Sequence, residues 1–188
     1  MSLTKAARSI KRLYNKALGL PLKRFLYESG LGKSMFIDEN GLVRIRKLEI
    51  YLTKGCNLKC DYCSHFNQFR KGIVSSASLI ESMEVWSKKI SPKKFGVLGG
   101  EPLMHPDLNL ILKKARECWS RARLILTTNG LLLHKKEKDL FDTLLETRAE
   151  VLLSEHLNDP ERVEAFNKGR RMLEEAGVPT TIIPSSSR

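Results

Sequence analysis

The feature that most constrains the fold is a regular alternation of short apolar runs and amphipathic segments from residue 46 onward. Runs rich in branched and aliphatic side chains predict strands at residues 48–53, 94–98, 123–127, 150–154 and 179–183. Helical spacing of apolar residues predicts helices at residues 78–90, from 107, 137–147 and 160–176. We expect Ser78 with Glu81 to form a capping box and Asp107 to cap the second helix. Strands that alternate with helices form a parallel sheet, so the predicted fold class is α/β.

The first 45 residues follow a different pattern and are predicted to be a basic helical and hairpin extension, with a core domain at residues 46–188. Apolar residues recur every three or four positions over residues 3–17, which predicts an amphipathic helix, and residues 21–29 suit a second one. Asn40-Gly41 predicts a hairpin turn between residues 35–38 and 42–45. Residues 1–47 carry 11 Lys and Arg against 3 Asp and Glu, within a net charge of +12. Such an arm is either a solvated helical face or a contact for an acidic partner, a nucleic acid or an anionic surface.

Composition excludes several classes of protein. A chain of 188 residues that is 41% hydrophobic is long enough for one domain with a full core. No apolar run approaches the roughly 20 residues that span a bilayer, and the N-terminus lacks a secretory signal. Four cysteines are too sparse for a disulfide scaffold, so we expect a reducing, cytoplasmic location.

Three of the cysteines form the main chemical signal. Cys56, Cys60 and Cys63 lie within eight residues, directly after the first predicted strand. Three closely spaced thiolates suit a 4Fe–4S cluster in which one iron lacks a protein ligand. A zinc site completed by His65 and a chance cluster of core cysteines are the alternatives. Cys118 is the remaining cysteine, and its place on a helix beside apolar residues predicts a buried core position.

Three motifs in this order resemble the radical S-adenosylmethionine superfamily. The Cys-x-x-x-Cys-x-x-Cys run with Tyr62 before its third cysteine follows the first strand, and Gly99-Gly100-Glu101-Pro102 closes the second. Thr127-Thr128-Asn129-Gly130 follows the third strand. The resemblance covers about residues 46–184 and implies a partial (β/α) barrel of parallel strands. This chain has fewer strand–helix units than the family's barrel, so we expect a barrel that is incomplete at the C-terminus, either truncated or completed by a partner.

The resemblance also implies roles for individual residues. Cys56, Cys60 and Cys63 would hold the cluster, whose fourth iron is chelated by S-adenosylmethionine. Tyr62 would contact adenine. Gly99, Gly100 and Glu101 would contact the methionyl ammonium. Asn129 or Thr128, together with Ser154, would contact the ribose or the methionyl carboxylate. Each polar residue has an ordinary alternative as a strand or helix cap, and Tyr62 as a core aromatic. Glu155 and His156 face substrate or lie in a solvent-exposed loop, His65 is expected in a loop, and His105 is expected to serve a turn.

The function implied is that of a radical enzyme, with no catalytic side chain assigned. A flavodoxin or ferredoxin would reduce the 4Fe–4S cluster, S-adenosylmethionine would be cleaved, and the 5′-deoxyadenosyl radical would abstract a hydrogen from the substrate. The donor would dock on basic residues around the cysteines, namely Lys54, Lys59, Arg70 and Lys71. The unknown substrate would suit a peptide or small-molecule maturase or a glycyl-radical activase. The alternative is a zinc-stabilised module that binds nucleic acid or protein without catalysis.

Overall fold

The computed structural model describes residues Phe25, Glu28, 36–60, 63, 71–156 and 159–184. The chain divides into two compact units, Met1–Arg44 and Ile45–Arg188. The helix predicted at residues 3–17 lies outside the described residues, and of the segment 21–29 only Phe25 and Glu28 are described. The predicted domains, a basic extension at residues 1–45 and a core domain at residues 46–188, stay a prediction.

The predicted hairpin turn is confirmed in the first unit. Ile37 forms an antiparallel bridge with Val43, and the Asp38 amide donates to the Leu42 carbonyl at 2.9 Å. The Asp38 carboxylate accepts bonds from the amides of Asn40 and Leu42 at 2.9 and 3.0 Å. Gly41 has a φ of 80°, a value that favours glycine and explains why it follows Asn40 here.

The second unit contains the alternation that the sequence predicts. Its described elements, with the first strand shared between the units, are β1 Val43–Ile45, β2 Leu48–Tyr51, α1 Ser76–Ser87, β3 Ile90–Pro92, β4 Lys94–Leu98, α2 Leu108–Cys118, β5 Arg123–Thr128, α3 Lys138–Glu146, β6 Glu150–Ser154, α4 Pro160–Glu175 and β7 Thr180–Ile183. Five strands form one parallel sheet in the order β2-β4-β5-β6-β7. The predicted α/β class with a parallel sheet is confirmed.

The helices cover one face of this sheet. Helix α2 buries Leu108, Ile111, Leu112 and Ala115, which share one face of a helix at spacings of three and four. Leu124 and Leu126 of β5 and Val151 and Leu153 of β6 belong to the same hydrophobic core. The alternate positions of these strands, Ile125, Thr127, Leu152 and Ser154, are only half-buried. Polar groups on this less covered face are therefore available for a site.

The predicted capping box is wrong, whereas Asp107 lies at the predicted cap position without a capping bond from its side chain. Helix α1 begins at Ser76, and its cap is Ser75, whose hydroxyl accepts from the Ser78 amide at 3.5 Å, so Ser78 lies inside the helix. Asp107 precedes α2 but makes no side-chain capping bond. Its carboxylate accepts instead from the Ser76 hydroxyl at 2.8 Å, and this bond links the starts of the two helices.

The role of His105 as a turn residue is confirmed. His105 is buried, its Nε2 lies 2.9 Å from the Val74 carbonyl, and its Nδ1 accepts from the Asp107 amide at 3.0 Å. None of the described helices is long and apolar enough to cross a bilayer.

Candidate cofactor site

The loops that follow β2, β4, β5 and β6 all leave the sheet at its carboxyl edge, because the strands are parallel. The three cysteines follow β2, Gly99-Gly100-Glu101 follows β4, Thr128-Asn129 ends β5, and Ser154 with His156 ends β6. Sites of α/β proteins are built at this edge, where loops from several strands meet. The topology thus places the three sequence motifs together.

Gly99 and Gly100 pack against the backbone of the cysteine loop. A Cβ on Gly99 would lie 2.8 Å from the amide nitrogen and carbonyl oxygen of Thr53, and one on Gly100 would lie 1.9 Å from the Gly55 carbonyl oxygen. The Gly100 amide donates to the Thr53 carbonyl and the Glu101 amide donates to the Gly55 carbonyl. The described contacts of both glycines therefore join two loops of the chain itself. Their predicted contact with a methionyl ammonium stays a prediction.

Glu101 is fully buried, and its carboxylate joins two segments through three hydrogen bonds. Oε1 accepts from the Leu103 amide at 2.9 Å and from the Thr128 hydroxyl at 2.6 Å. Oε2 accepts from the Asn129 amide at 3.0 Å. Burial raises the pKa of Glu101, and these three hydrogen bonds oppose the rise. The carboxylate thereby ties the end of β4 to the end of β5, a role that the motif alone did not reveal.

Cys56 has two nitrogen neighbours on its sulfur. The Leu58 amide donates to Cys56 Sγ at 3.4 Å, and Asn129 Nδ2 lies 3.8 Å from the same sulfur. Asn129 Nδ2 also donates to Asn57 Oδ1 at 2.8 Å. Burial is the largest cause that raises the pKa of Cys56, and the Leu58 hydrogen bond opposes it. Asn129 therefore lies beside the first cysteine, and its contact with the cofactor stays a prediction.

Cys60 lies beside the end of β6. His156 Nδ1 is 3.7 Å from Cys60 Sγ, and His156 Nε2 is 3.2 Å from Ser154 Oγ. The imidazole is half-buried, and burial with the positive charge of Arg162 lowers its pKa. The sequence offered only a histidine two residues after a strand end, and the contact with a cysteine 96 positions away comes from the parallel sheet.

The donor set fits an iron–sulfur cluster. None of Cys56, Cys60 and Cys63 is in a disulfide, each is only partly buried, and all three lie on irregular backbone after one strand. Within the described ranges, no three His, Cys, Asp or Glu side chains converge closely enough to hold a single metal ion. A cubane cluster places its thiolates on separate irons, so such convergence on one ion is not needed.

Other predicted residues fall outside the site or outside the described residues. Tyr62, His65 and Arg70 belong to the undescribed segments, as do residues 185–188. Cys118 is the last residue of α2, which runs from the carboxyl edge of the sheet back towards the start of β5. Cys118 therefore lies at the edge opposite to the cysteine loop. It is partly buried and packs against the core rather than within it, because it lies in the last turn of its helix.

A parallel α/β sheet with a three-cysteine loop packed onto a Gly-Gly-Glu turn defines the class of this protein as an α/β domain with a cysteine-rich candidate cofactor site. The family model described as "Radical SAM superfamily" matches residues 50–181. The chain belongs to the radical SAM superfamily, and membership implies a 4Fe–4S cluster and S-adenosylmethionine as cofactors.

Curated relatives include a GTP 3′,8-cyclase of Staphylococcus aureus, 32% identical over 106 residues that cover 52% of this chain and 31% of the relative. A probable GTP 3′,8-cyclase of Archaeoglobus fulgidus is 36% identical over 106 residues, 56% of this chain and 34% of the relative. The chain thus spans about a third of the length of the curated relatives it matches.

Solved structures share the fold at low identity. BtrN in complex with AdoMet and 2-DOIA is 19% identical with a TM-score of 0.56, covering 77% of this chain and 58% of BtrN. Streptococcus suis SuiB bound to the precursor peptide SuiA is 19% identical with a TM-score of 0.61, covering 82% of this chain and 36% of SuiB. These similarities confirm the fold resemblance to radical SAM partial barrels.

Proposed function

We propose that this chain forms the cofactor-binding core of an enzyme that reductively cleaves S-adenosylmethionine. The observation that carries the proposal is the loop of three cysteines outside any disulfide, held against the Gly-Gly-Glu turn by the contact of Gly100 with Gly55. In this family the cluster and S-adenosylmethionine together supply a 5′-deoxyadenosyl radical that abstracts a substrate hydrogen. The protein's share is to hold, orient and shield these groups.

The proposed roles of the residues follow from their places. Cys56, Cys60 and Cys63 ligate the cluster, and Gly99 and Gly100 allow the turn after β4 to approach the cysteine loop. Glu101 holds the ends of β4 and β5 in register, so that Asn129 lies beside Cys56. Ser154, on the less covered face of the sheet, is available to a ligand, and Tyr62 is proposed to contact adenine.

The proposed electron donor is an acidic flavodoxin or ferredoxin in the cytoplasm. Lys54 and Lys59 lie exposed on the cysteine loop, and Lys71 is exposed before α1. Exposed positive charges attract an acidic partner over long distances, and dissolved salt screens this attraction. We expect the rate of cluster reduction by flavodoxin to fall as ionic strength rises, and a rate independent of salt would contradict this docking surface.

The substrate is proposed to be a small molecule or a peptide. The names of the relatives support a nucleotide for some members, since two are GTP 3′,8-cyclases, whereas SuiB was crystallised with a precursor peptide. A glycyl-radical activase role is a further form of the peptide case, with a protein partner as substrate. Assays with deuterated GTP and with deuterated candidate peptides distinguish these classes. Each assay measures loss of the substrate and transfer of deuterium into 5′-deoxyadenosine.

The experiment that tests the proposal is anaerobic reconstitution with iron and sulfide, followed by an assay for 5′-deoxyadenosine with S-adenosylmethionine and dithionite. We expect about four irons per chain and formation of 5′-deoxyadenosine. Cys60→Ala should lose the cluster, and Cys118→Ala is the matched control that should keep it. Zinc without sulfide would contradict the proposal and favour a zinc-stabilised binding module, whereas full iron in Cys60→Ala would contradict the assignment of Cys60 as a cluster ligand.

A further inference from the structure

The segment that follows β6 brings one side chain to the cysteine loop. The Glu155 amide donates to the Ile183 carbonyl at 2.9 Å, which extends the pairing of β6 with β7 by one residue. His156 follows directly, and its Nδ1 lies 3.7 Å from Cys60 Sγ. This distance is within the range of a hydrogen bond to sulfur, so the backbone of the sheet holds an imidazole against one of the proposed cluster ligands.

The Cys60 thiolate determines which nitrogen of His156 carries the proton, and Ser154 pairs with the other nitrogen. A neutral imidazole has one N–H donor and one acceptor nitrogen. His156 Nε2 lies 3.2 Å from the Ser154 hydroxyl, which can donate to it. A thiolate that ligates iron can only accept, so the stable arrangement has Ser154 donating to Nε2 and Nδ1–H donating to Cys60 Sγ.

We propose that His156 is a hydrogen-bond donor to the cluster-ligating Cys60 thiolate, oriented by Ser154, and that it raises the reduction potential of the cluster. This inference rests on the proposed function, because it requires the cluster on Cys60. A donor to a ligating thiolate stabilises the more negative, reduced cluster. The role makes the cluster easier for a biological donor to reduce, and it places His156 as a positioning and tuning residue.

The test is an EPR-monitored redox titration of the reconstituted chain without S-adenosylmethionine. We expect His156→Leu to lower the ratio of reduced to oxidised cluster about tenfold at a fixed potential, a shift of about 59 mV for a one-electron couple. His156→Gln retains an amide donor and should recover part of the shift. Ser154→Ala should shift the potential in the same direction by a smaller amount, since it removes only the orientation of the ring.

The matched control is His134→Leu. His134 is partly buried in the turn after β5, and its Nδ1 has no hydrogen-bond partner among the described residues. An unchanged potential in His156→Leu, or an equal shift in His134→Leu, would overturn the inference. If His156→Leu loads no cluster, Ser154→Ala decides by its shift or the lack of one. A wild-type chain that binds no cluster overturns the proposed function and this inference together, whereas a wild-type cluster unaffected by these variants overturns only the inference.

Discussion

Glu101→Gln is the sharpest single perturbation of the bond network behind the site. The carboxyl group meets two backbone amides, one on each oxygen: Leu103 N–H on Oε1 and Asn129 N–H on Oε2. Both protonation states of Glu101 can accept both bonds, because a protonated Oε1 can donate to Thr128 and still accept from Leu103. Glutamine has one oxygen, so whichever way the amide is turned, an N–H donor faces one of these amides.

The expected cost follows from the burial of this group. A buried donor left without an acceptor costs about 1–3 kcal/mol, and Glu101 has no exposed surface. We therefore expect Glu101→Gln to lower the free energy of unfolding by about 2 kcal/mol. With a urea dependence of about 2 kcal/mol per M for a domain of this size, the midpoint should fall by about 1 M.

Urea unfolding of the apo chain at pH 7, followed by circular dichroism, measures this change. Glu146→Gln is the control, since Glu146 forms an exposed ion pair with Lys113 and its loss should change stability by at most about 0.5 kcal/mol. Equal midpoints for wild type and Glu101→Gln would refute the argument that these amides depend on the carboxylate.

The pH dependence provides a second check on the same residue. Burial raises the pKa of Glu101, so the folded state holds the proton more tightly than the unfolded state. The stabilisation from this proton is complete below the unfolded carboxyl pKa of about 4.3 and is lost as pH rises through the folded value. We expect the stability advantage of wild type over Glu101→Gln to shrink from pH 5 towards pH 8. A growing advantage would contradict a raised pKa.

Three other predictions concern the packing around the site and the cysteines. Gly100→Ala should lose the reconstituted cluster, because its Cβ would lie 1.9 Å from the Gly55 carbonyl oxygen. Gly169→Ala is the control: its Cβ would lie 2.8 Å from Leu133 Cβ, so this variant should lose stability but keep the iron. Iron and sulfide analysis decides, and full iron in Gly100→Ala would contradict the role of this contact. Arg116→Met should lower stability by about 2 kcal/mol in urea, since Arg116 donates to the carbonyls of Thr147, Ser120 and Ala122; an unchanged midpoint would disprove it. Cys118→Ser should leave iron content unchanged, and iron loss there would place a fourth thiolate at the cluster.

The periodic pattern of the sequence was sufficient to predict the sheet. Residues 94–98 and 150–154 form strands as predicted, and the other strand bounds differ by one or two residues. This agreement arises because side chains in buried strands and amphipathic helices must match the period of the backbone that carries them. Helix starts were less predictable, since Ser75, Ser76 and Ser78 are all competent caps and the contact of Ser76 with Asp107 is not local.

The chemical groups of the site are readable from the sequence alone: three thiolates on one loop, a glycine pair and a carboxylate, each following a strand. Their contacts depend on the packing of the sheet. The glycines face the Thr53 and Gly55 backbone, Glu101 is engaged by the ends of two strands, and His156 lies against Cys60. Parallel strands bring their carboxyl ends together although these ends are separated by dozens of residues along the sequence. Such contacts leave no periodic pattern in the sequence, so they could not be predicted from it.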